Sequence, residues 1–144
     1  MSAFEDAVIQ RIRSLEREVE RLQRWERPAI KPVFLTTPKT STDWDGDTKT
    51  TADRAIVDLS AVFGVPAGVK AVLMTIQTQC DTVNEYIRFG PNSTYNYVLA
   101  CRTQSPNVIN QVTGIVPCDS NGDVYCYPSG TIENVYVYIW GYWL

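Results

Sequence analysis

The sequence predicts a mainly β protein, in which an antiparallel β-sandwich or jelly-roll-like head follows an N-terminal helix that forms a parallel, three-stranded coiled coil. Two observations carry this prediction. Residues 1–27 place apolar side chains at alternating steps of three and four among charged ones. Residues 33–144 contain short β-type segments separated by turn residues at intervals of about eight to twelve. The predicted divisions are therefore a trimerisation helix at 1–27, a linker at 28–32 and the head at 33–144.

The predicted helix has defined ends. Ser2 and Glu5 have the spacing of a capping box, in which each side chain satisfies the other residue's backbone N–H. Pro28 cannot continue a helix, and Pro32 keeps the following segment extended. We therefore expect a short, stiff linker between the helix and the head.

The apolar stripe of this helix is only two positions wide in each heptad, which favours partner helices over packing on the chain's own head. Packing of the helix on the chain's own head remains the alternative. The trimer is favoured by residues 11–16 (RIRSLE), which resemble a short trimerisation motif of parallel coiled coils. The residues predicted to hold the trimer together are Val8, Arg11, Ile12, Leu15, Glu16, Val19 and Leu22.

Period-two patterns and turn residues divide the head into strands. The first strands are predicted at 33–37, 55–59 and 69–79, with a long loop at 38–52 and no second helix. Residues 85–89 and 95–101 are predicted to form one hairpin, and residues 108–116 and 124–127 a second one around Asn121 and Gly122. The last strand, 132–143, is apolar on one side and aromatic on the other, so the aromatic side is expected to meet a neighbouring subunit or a ligand.

Composition excludes several function classes. The six arginines and six acids of residues 1–27 leave seven basic and ten acidic side chains for residues 28–144, which argues against nucleic-acid binding. No apolar run is long enough to cross a membrane, and the N-terminus lacks the pattern of a secretory signal. We therefore expect that the protein assembles in the cytoplasm and that it does not insert into a membrane. The absence of histidine removes the usual Ser-His and Cys-His pairs, and we predict no enzyme activity, no catalytic residues and no cofactor.

Metal and disulfide chemistry is also weakly indicated. The four cysteines form no CxxC pair, so free buried thiols are expected, although a bridge between Cys118 and Cys126 is left open. Acidic loops at 43–47 and 119–123 could supply oxygens to calcium, but Asp and Asn in tight turns more often serve the backbone. We therefore predict no metal site.

Aromatic residues in or beside loops are the candidate ligand-binding residues, because sugars dock on exposed aromatic faces framed by polar groups. Trp44 lies in a loop that we expect to be exposed. The alternative for each such residue is a place in the core or in a subunit interface. The candidates are Trp44, Tyr95, Tyr97, Tyr125 and Tyr127.

Five stretches of the head together resemble the heads of phage and prophage virion proteins of the tail-fibre type. They are residues 35–38 (LTTP), 42–47 (TDWDGD), 58–60 (DLS), 64–73 (GVPAGVKAVL) and 138–143 (YIWGYW). The resemblance implies a homotrimeric virion appendage that recognises a host-surface ligand such as a glycan. Two alternatives stay open: a capsid decoration or tail component that binds other virion proteins, and a cellular trimeric lectin.

Overall fold

The computed structural model describes residues 2–25 and 30–144. The chain divides into two compact units, Met1–Ile30 and Lys31–Leu144, and each is described by itself. The predicted end of the helix at Pro28 and the first residues of the predicted linker lie outside the described residues.

The first unit contains helix α1 (Ala3–Trp25). Its predicted capping box is confirmed: the backbone N–H of Ser2 donates to the Glu5 carboxylate at 2.7 Å, and the N–H of Glu5 donates to the Ser2 hydroxyl at 3.3 Å. The apolar stripe lies exposed along the helix, from Val8 at 41% to Leu22 at 56%. Within the described residues, no helix is both long and apolar enough to span a membrane.

The second unit is built from nine strands and one short helix. The elements are β1 (Pro32–Lys39), β2 (Asp45–Lys49), β3 (Ala55–Val57), α2 (Leu59–Phe63), β4 (Ala71–Gln79), β5 (Tyr86–Gly90), β6 (Leu99–Arg102), β7 (Asn110–Pro117), β8 (Val124–Pro128) and β9 (Ile132–Trp143). One sheet has the order β1-β9-β4-β7, with β2 also paired to β9, and the other has the order β3-β8-β5-β6. Every pairing between these strands is antiparallel.

The two sheets share one hydrophobic core. On β5, β6 and β8 alternate residues are buried, as the period of a β-strand requires when one face packs inward. The fully buried members include Val72, Met74 and Ile76 on β4, Ile87 on β5, Val124 on β8 and Val137 and Ile139 on β9. The prediction of a mainly β head with antiparallel sheets is therefore confirmed, and two sheets around one core are consistent with the predicted sandwich.

One predicted hairpin is confirmed and the other is wrong. β5 pairs with β6, as predicted. β7 instead pairs with β4 in the five-stranded sheet, while β8 pairs with β3 and β5 in the other. Asn121 and Gly122 do form a turn, but this turn carries the chain from one sheet to the other. Gly122 has φ +91°, and a side chain there would collide with the backbone of Gly68, which donates its N–H to the Asn121 carbonyl.

The predicted long loop at 38–52 and the predicted absence of a second helix are also wrong. The loop region contains β2 and two short 3₁₀ turns, Thr42–Trp44 and Thr51–Asp53. Helix α2 begins at Leu59, the last residue of the segment predicted as a strand at 55–59. Asp58 caps its N-terminus by accepting from the N–H of Ala61 at 2.9 Å, and Gly64 ends it in the left-handed conformation, φ +66°. A helix of five residues is too short to produce a periodic pattern, so only these caps could have revealed it.

All four cysteines are free, so the bridge left open between Cys118 and Cys126 is not formed. Cys126 lies in the core, where burial raises the pKa of its thiol. Burial also raises the pKa of the half-buried Cys118 to about 12, and the carboxylates of Asp119 and Asp123 act in the same direction. These thiols are therefore protonated at neutral pH.

Candidate functional site

Trp44 does not form the exposed platform that the sequence predicts. Its side chain is only 7% exposed and packs against the rings of Phe63 and Phe89, with centroids 6.4 and 5.7 Å away. The Lys49 ammonium lies 4.3 Å from the indole centroid and donates to the Asp43 carbonyl at 2.6 Å. Trp44 therefore fills the core beneath its loop, because burying an indole stabilises the fold more than exposing it does.

Tyr125 and Tyr127 lie on the outer face of the four-stranded sheet. Both are on β8, where Val124, Cys126 and Pro128 are buried, so the alternate tyrosines point away from the core. On the neighbouring strand β5, Tyr86 and Arg88 occupy the same outer face, and on β6 so does Arg102. Arg88 is the direct cross-strand partner of Tyr127, and Tyr86 of Arg102.

Arginines and tyrosines alternate across this face. The Arg54 guanidinium lies 4.0 Å from the centroid of the Tyr127 ring, and the Arg88 guanidinium lies 4.1 Å from that of Tyr86. The Arg102 guanidinium lies 5.7 Å from the centroid of the same Tyr86 ring. These are cation–π distances, so the rings of Tyr86 and Tyr127 each have a cation against them. We call the set Arg54, Tyr86, Arg88, Arg102, Tyr125 and Tyr127 the arginine–tyrosine face.

The loop at 91–98 borders this face. Gly90 occupies an outward position on β5 beside Tyr125, and a Cβ there would collide with the carbonyl oxygen of Tyr95, so the loop folds back over the sheet. The Asn92 side chain holds the loop by accepting from the N–H groups of Thr94 and Tyr95 at 3.0 and 2.9 Å. Tyr95 and Tyr97 are 56% and 62% exposed on this loop. Four of the five predicted ligand-binding aromatics therefore lie on the arginine–tyrosine face or in the loop beside it.

Among the described residues, the cations of this face have no carboxylate partner. Within the described part of the chain, one ion pair meets the distance for a salt bridge, Glu18 with Arg21 on α1 at 3.5 Å. Arg54 donates to the backbone carbonyls of Pro128 and Ser129 at 3.0 and 3.2 Å. The guanidinium groups of Arg88 and Arg102 donate to no acceptor among the described residues. Their N–H groups are therefore available to a ligand.

Sequence reasoning missed Tyr86 and the three arginines. All three arginines of the head are on this face, but they are separated in the sequence by 34 and 14 positions and form no cluster there. The available signal was the alternation over 86–90, in which Ile87 and Phe89 face the core. The alternation of a β-strand then places Tyr86 and Arg88 on the opposite, outward side.

The outer face of the five-stranded sheet also carries tyrosines, Tyr136 and Tyr138 on β9. They are cross-strand partners of Gln77 and Thr75 on β4. Here the polar groups satisfy one another: the Thr75 and Thr113 hydroxyls are 2.7 Å apart, and the Gln77 amide donates to Gln111 at 2.7 Å. Burial, with the nearby Asp45 carboxylate, raises the pKa of Tyr138, which keeps its phenol protonated.

Three aspartates meet at the turn between the two sheets. The Asp119 carboxylate accepts from the N–H groups of Asn121 and Asp123 at 2.8 and 2.9 Å, which is the backbone role expected of this loop. Desolvation raises the pKa of Asp123, and the charges of Asp58 and Asp119 add to this. The pKa of Asp58 is lowered, because its carboxylate accepts from the Ala61 N–H and the Ser60 hydroxyl.

One group of possible metal ligands occurs in residues 2–25 and 30–144, namely Cys80, Asp81 and Glu133. Their ligand atoms lie within 4.8 Å of one another. The Cys80 thiol is buried and donates to the Thr131 carbonyl at 3.5 Å. The group supplies three ligands, one fewer than a structural zinc site uses.

The predicted trimerisation residues all lie on α1 and are exposed along it. Arg11 and Glu16, which the heptad register places at g and the following e, make no ion pair with the described side chains of their own helix. Both are therefore available for the interchain pairing that the register predicts.

The chain matches no protein-family model and no curated protein. Among solved structures it is similar to a carbohydrate binding module from Cellvibrio mixtus lichenase 5A, in complex with cellotriose. The match has 9% sequence identity and a TM-score of 0.35, and it covers 76% of this chain and 96% of the module. A likeness at this level carries no functional argument, so the function of this chain has to be inferred from its own residues.

Proposed function

We propose that the head binds a carbohydrate through the arginine–tyrosine face. The observation that supports this most is the outward row of Tyr86, Tyr125 and Tyr127 beside Arg88 and Arg102, whose guanidiniums have no acceptor among the described residues. A sugar ring presents apolar C–H groups that pack on an aromatic face and hydroxyls that accept hydrogen bonds, so it matches both components.

The site is rigid enough for this role. β5 and β8 are the two inner strands of their sheet, and each is paired on both sides. Cation–π contacts fix the rings of Tyr86 and Tyr127 further. A ligand that meets side chains already in position loses less conformational entropy on binding.

We further propose that α1 assembles three chains into a parallel coiled coil. Most helical stability in proteins comes from packing of an amphipathic face, and the exposed stripe of α1 would be buried between partner helices. Three heads on one stalk would bind a repetitive surface with much higher avidity than one head. The role that we propose is therefore a trimeric, tail-fibre-type virion appendage that recognises a host-surface glycan.

The stalk is tested by light scattering on the intact chain and on two variants. Leu15→Ala removes a core d residue, whereas Arg17→Ala changes the outermost f position and is its matched control. We expect a trimer for the intact chain and for Arg17→Ala, and dissociation for Leu15→Ala. A monomeric intact protein would contradict the coiled coil.

A structural role in a virion is a second candidate, and one observation favours it. Phe34 and Ile115 are each more than half exposed on the five-stranded sheet, in one cross-strand row with Gly141 and Leu73. An apolar row of this kind suits contact with another protein. Antibody labelling of virions distinguishes the roles, since a recognition head should be found at the distal end of an appendage.

A glycan array tests carbohydrate binding by the head. The array compares the intact chain with the double variant Tyr86→Ala/Tyr127→Ala, and Tyr138→Ala on the other sheet is the matched control. We expect the double variant to lose the glycans that the intact chain binds and the control to keep them. An array without any bound glycan, or loss in the control alone, would refute the proposal.

A further inference from the structure

We infer that the ligand of the arginine–tyrosine face is an acidic polysaccharide, whose sugar carboxylates pair with Arg54, Arg88 and Arg102. This inference rests on the proposed function and narrows it from carbohydrates in general to uronic-acid-type chains.

The side chains follow a regular order across the four-stranded sheet. Arg54 stacks on Tyr127, Tyr127 is the cross-strand partner of Arg88, and Arg88 stacks on Tyr86. Tyr86 is in turn the cross-strand partner of Arg102. Cation and ring therefore alternate along a path over all four strands, and this arrangement suits a polymer in which an acidic group recurs beside each apolar sugar face.

The stacking geometry leaves the charged edges of the guanidiniums usable. A guanidinium that lies on a ring uses its flat face for the cation–π contact, while its N–H donors point outward in its own plane. Those donors have the fork spacing that matches the two oxygens of a carboxylate. The Arg88 guanidinium carbon lies 4.1 Å from the centroid of the Tyr86 ring, and the Arg88 side chain makes no hydrogen bond among the described residues.

The charge distribution also favours an acidic ligand. The head has more acidic than basic side chains, yet the outward positions of its four-stranded sheet carry arginines and no acid. A carboxylate opposite an arginine on a neighbouring strand would stabilise the sheet. Here no carboxylate among the described residues lies within salt-bridge distance of the three arginines, which leaves a positive strip on an otherwise acidic head.

The spacing favours a polysaccharide over a nucleic acid. Arg54 and Arg88 lie on either side of the β8 strand, so their backbones are two strand spacings, or about 9 to 10 Å, apart. Double-stranded DNA carries a charge for about every 1.7 Å of its axis, and its binding needs a dense basic surface. Three separated cations on an acidic head match the sparser charge of a chain with one carboxylate per sugar or per disaccharide.

The test uses the intact chain and three immobilised acidic polysaccharides, polygalacturonate, alginate and hyaluronan, each beside its methyl-esterified form. Esterification neutralises the carboxylates and keeps the sugar backbone. We expect at least one acidic form to bind, and its ester to bind about tenfold more weakly or worse, which corresponds to the loss of one charged hydrogen bond. Binding of the acidic form should also weaken as salt is raised.

Variants then assign the effect to the face. Arg88→Gln should weaken binding of the acidic form about tenfold and leave binding of the ester unchanged. Arg88→Lys keeps the charge but not the forked donor geometry, so it should bind the acidic form more weakly than the intact chain and more tightly than Arg88→Gln. Lys70→Gln, which removes an exposed cation beside the other sheet, is the matched control and should bind like the intact chain.

The outcomes separate this inference from the proposed function. If acidic forms and esters bind equally and Arg88→Gln has no effect, while Tyr86→Ala/Tyr127→Ala loses both, the face binds carbohydrate but this inference is wrong. If neither form of any polysaccharide binds and the glycan array is empty, both are wrong. Binding of duplex DNA as tightly as of the acidic polysaccharides would reveal a general attraction to polyanions and would also overturn the inference.

Discussion

The outer faces of the two sheets both carry tyrosines, but their polar groups are used differently. On the five-stranded sheet, hydrogen bonds link Thr75 to Thr113 and Gln77 to Gln111, beside Tyr136 and Tyr138. On the four-stranded sheet, the tyrosines alternate with arginines whose guanidiniums have no carboxylate partner among the described residues.

This difference is the basis for the proposal that the ligand binds to the four-stranded sheet. Polar groups that satisfy each other gain little from a new partner, whereas an unpaired guanidinium gains a charge-assisted hydrogen bond. Aromatic content alone does not distinguish the faces. The availability of donors next to the rings does, and substitutions on each face and in the core can test this distinction.

Trp44→Ala should give the largest effect, and the effect should be on stability. The indole belongs to neither outer face but to the core, so its removal should lower the free energy of unfolding by about 3 to 5 kcal/mol. Urea denaturation followed by circular dichroism measures this. Tyr97→Ala, in the exposed loop, should change stability by less than about 0.5 kcal/mol. Equal stabilities for the two variants would contradict the buried position of Trp44.

Gly90→Ala should damage the arginine–tyrosine face through its bordering loop. The new methyl group would collide with the Tyr95 carbonyl, and relief requires movement of the backbone at 91–98, at a cost of about 1 to 3 kcal/mol. Gly114→Ala on β7 is the matched control, because its methyl would meet only the end of the flexible Leu99 side chain. We expect lower glycan binding for Gly90→Ala than for Gly114→Ala. Similar binding by the two variants would show that the loop does not contribute to the site.

Gln77→Ala should affect stability, whereas Arg102→Ala should affect glycan binding. Loss of the Gln77–Gln111 hydrogen bond should cost about 0.5 to 1.5 kcal/mol of stability, with glycan binding unchanged. Arg102→Ala removes a donor without a protein acceptor among the described residues, so it should weaken glycan binding and leave the denaturation midpoint almost unchanged. If Gln77→Ala weakened binding as much as Arg102→Ala does, the two faces would not differ in function.

The smallest expected effect is the pH dependence that arises at the turn between the sheets, away from both outer faces. The pKa of Asp58 is lowered from its ordinary value of 3.8 in the folded protein. Its stabilising contribution is therefore fully present above pH 3.8 and is lost as the pH falls through its lowered pKa. Asp58→Ala should therefore lower the thermal midpoint at neutral pH, with a smaller difference in strong acid. The pKa of Asp123 is raised, so its charged form does not stabilise the folded protein at neutral pH. Asp123→Asn should therefore not lower the thermal midpoint at neutral pH.

The sequence predicted those parts of the structure that depend on local patterns. Ser2 and Glu5 sufficed for the start of α1, and alternation identified the strands from β4 onward. The partner of β7 could not be predicted, because an Asn-Gly turn is compatible with both a hairpin and a passage between sheets. Whether Trp44 is buried depends on Phe63 and Phe89, which are distant in the sequence.

The candidate site was predicted only in part for the same reason. Tyr125 and Tyr127 were identified as loop-adjacent aromatics, as were Tyr95 and Tyr97. Arg54, Arg88 and Arg102 come together only through the strand order β3-β8-β5-β6, which local patterns do not reveal. Long-range pairing therefore determines the chemistry of the face.

Hydroxyl-radical footprinting of the intact chain, with and without the glycan that binds most strongly on the array, tests the central claim most directly. The oxidation of each tyrosine reports its solvent exposure in the presence of the ligand. We predict protection of Tyr86, Tyr125 and Tyr127 and unchanged oxidation of Tyr136 and Tyr138. Protection of Tyr136 and Tyr138, with the first three unchanged, would place the ligand on the five-stranded sheet and contradict the account.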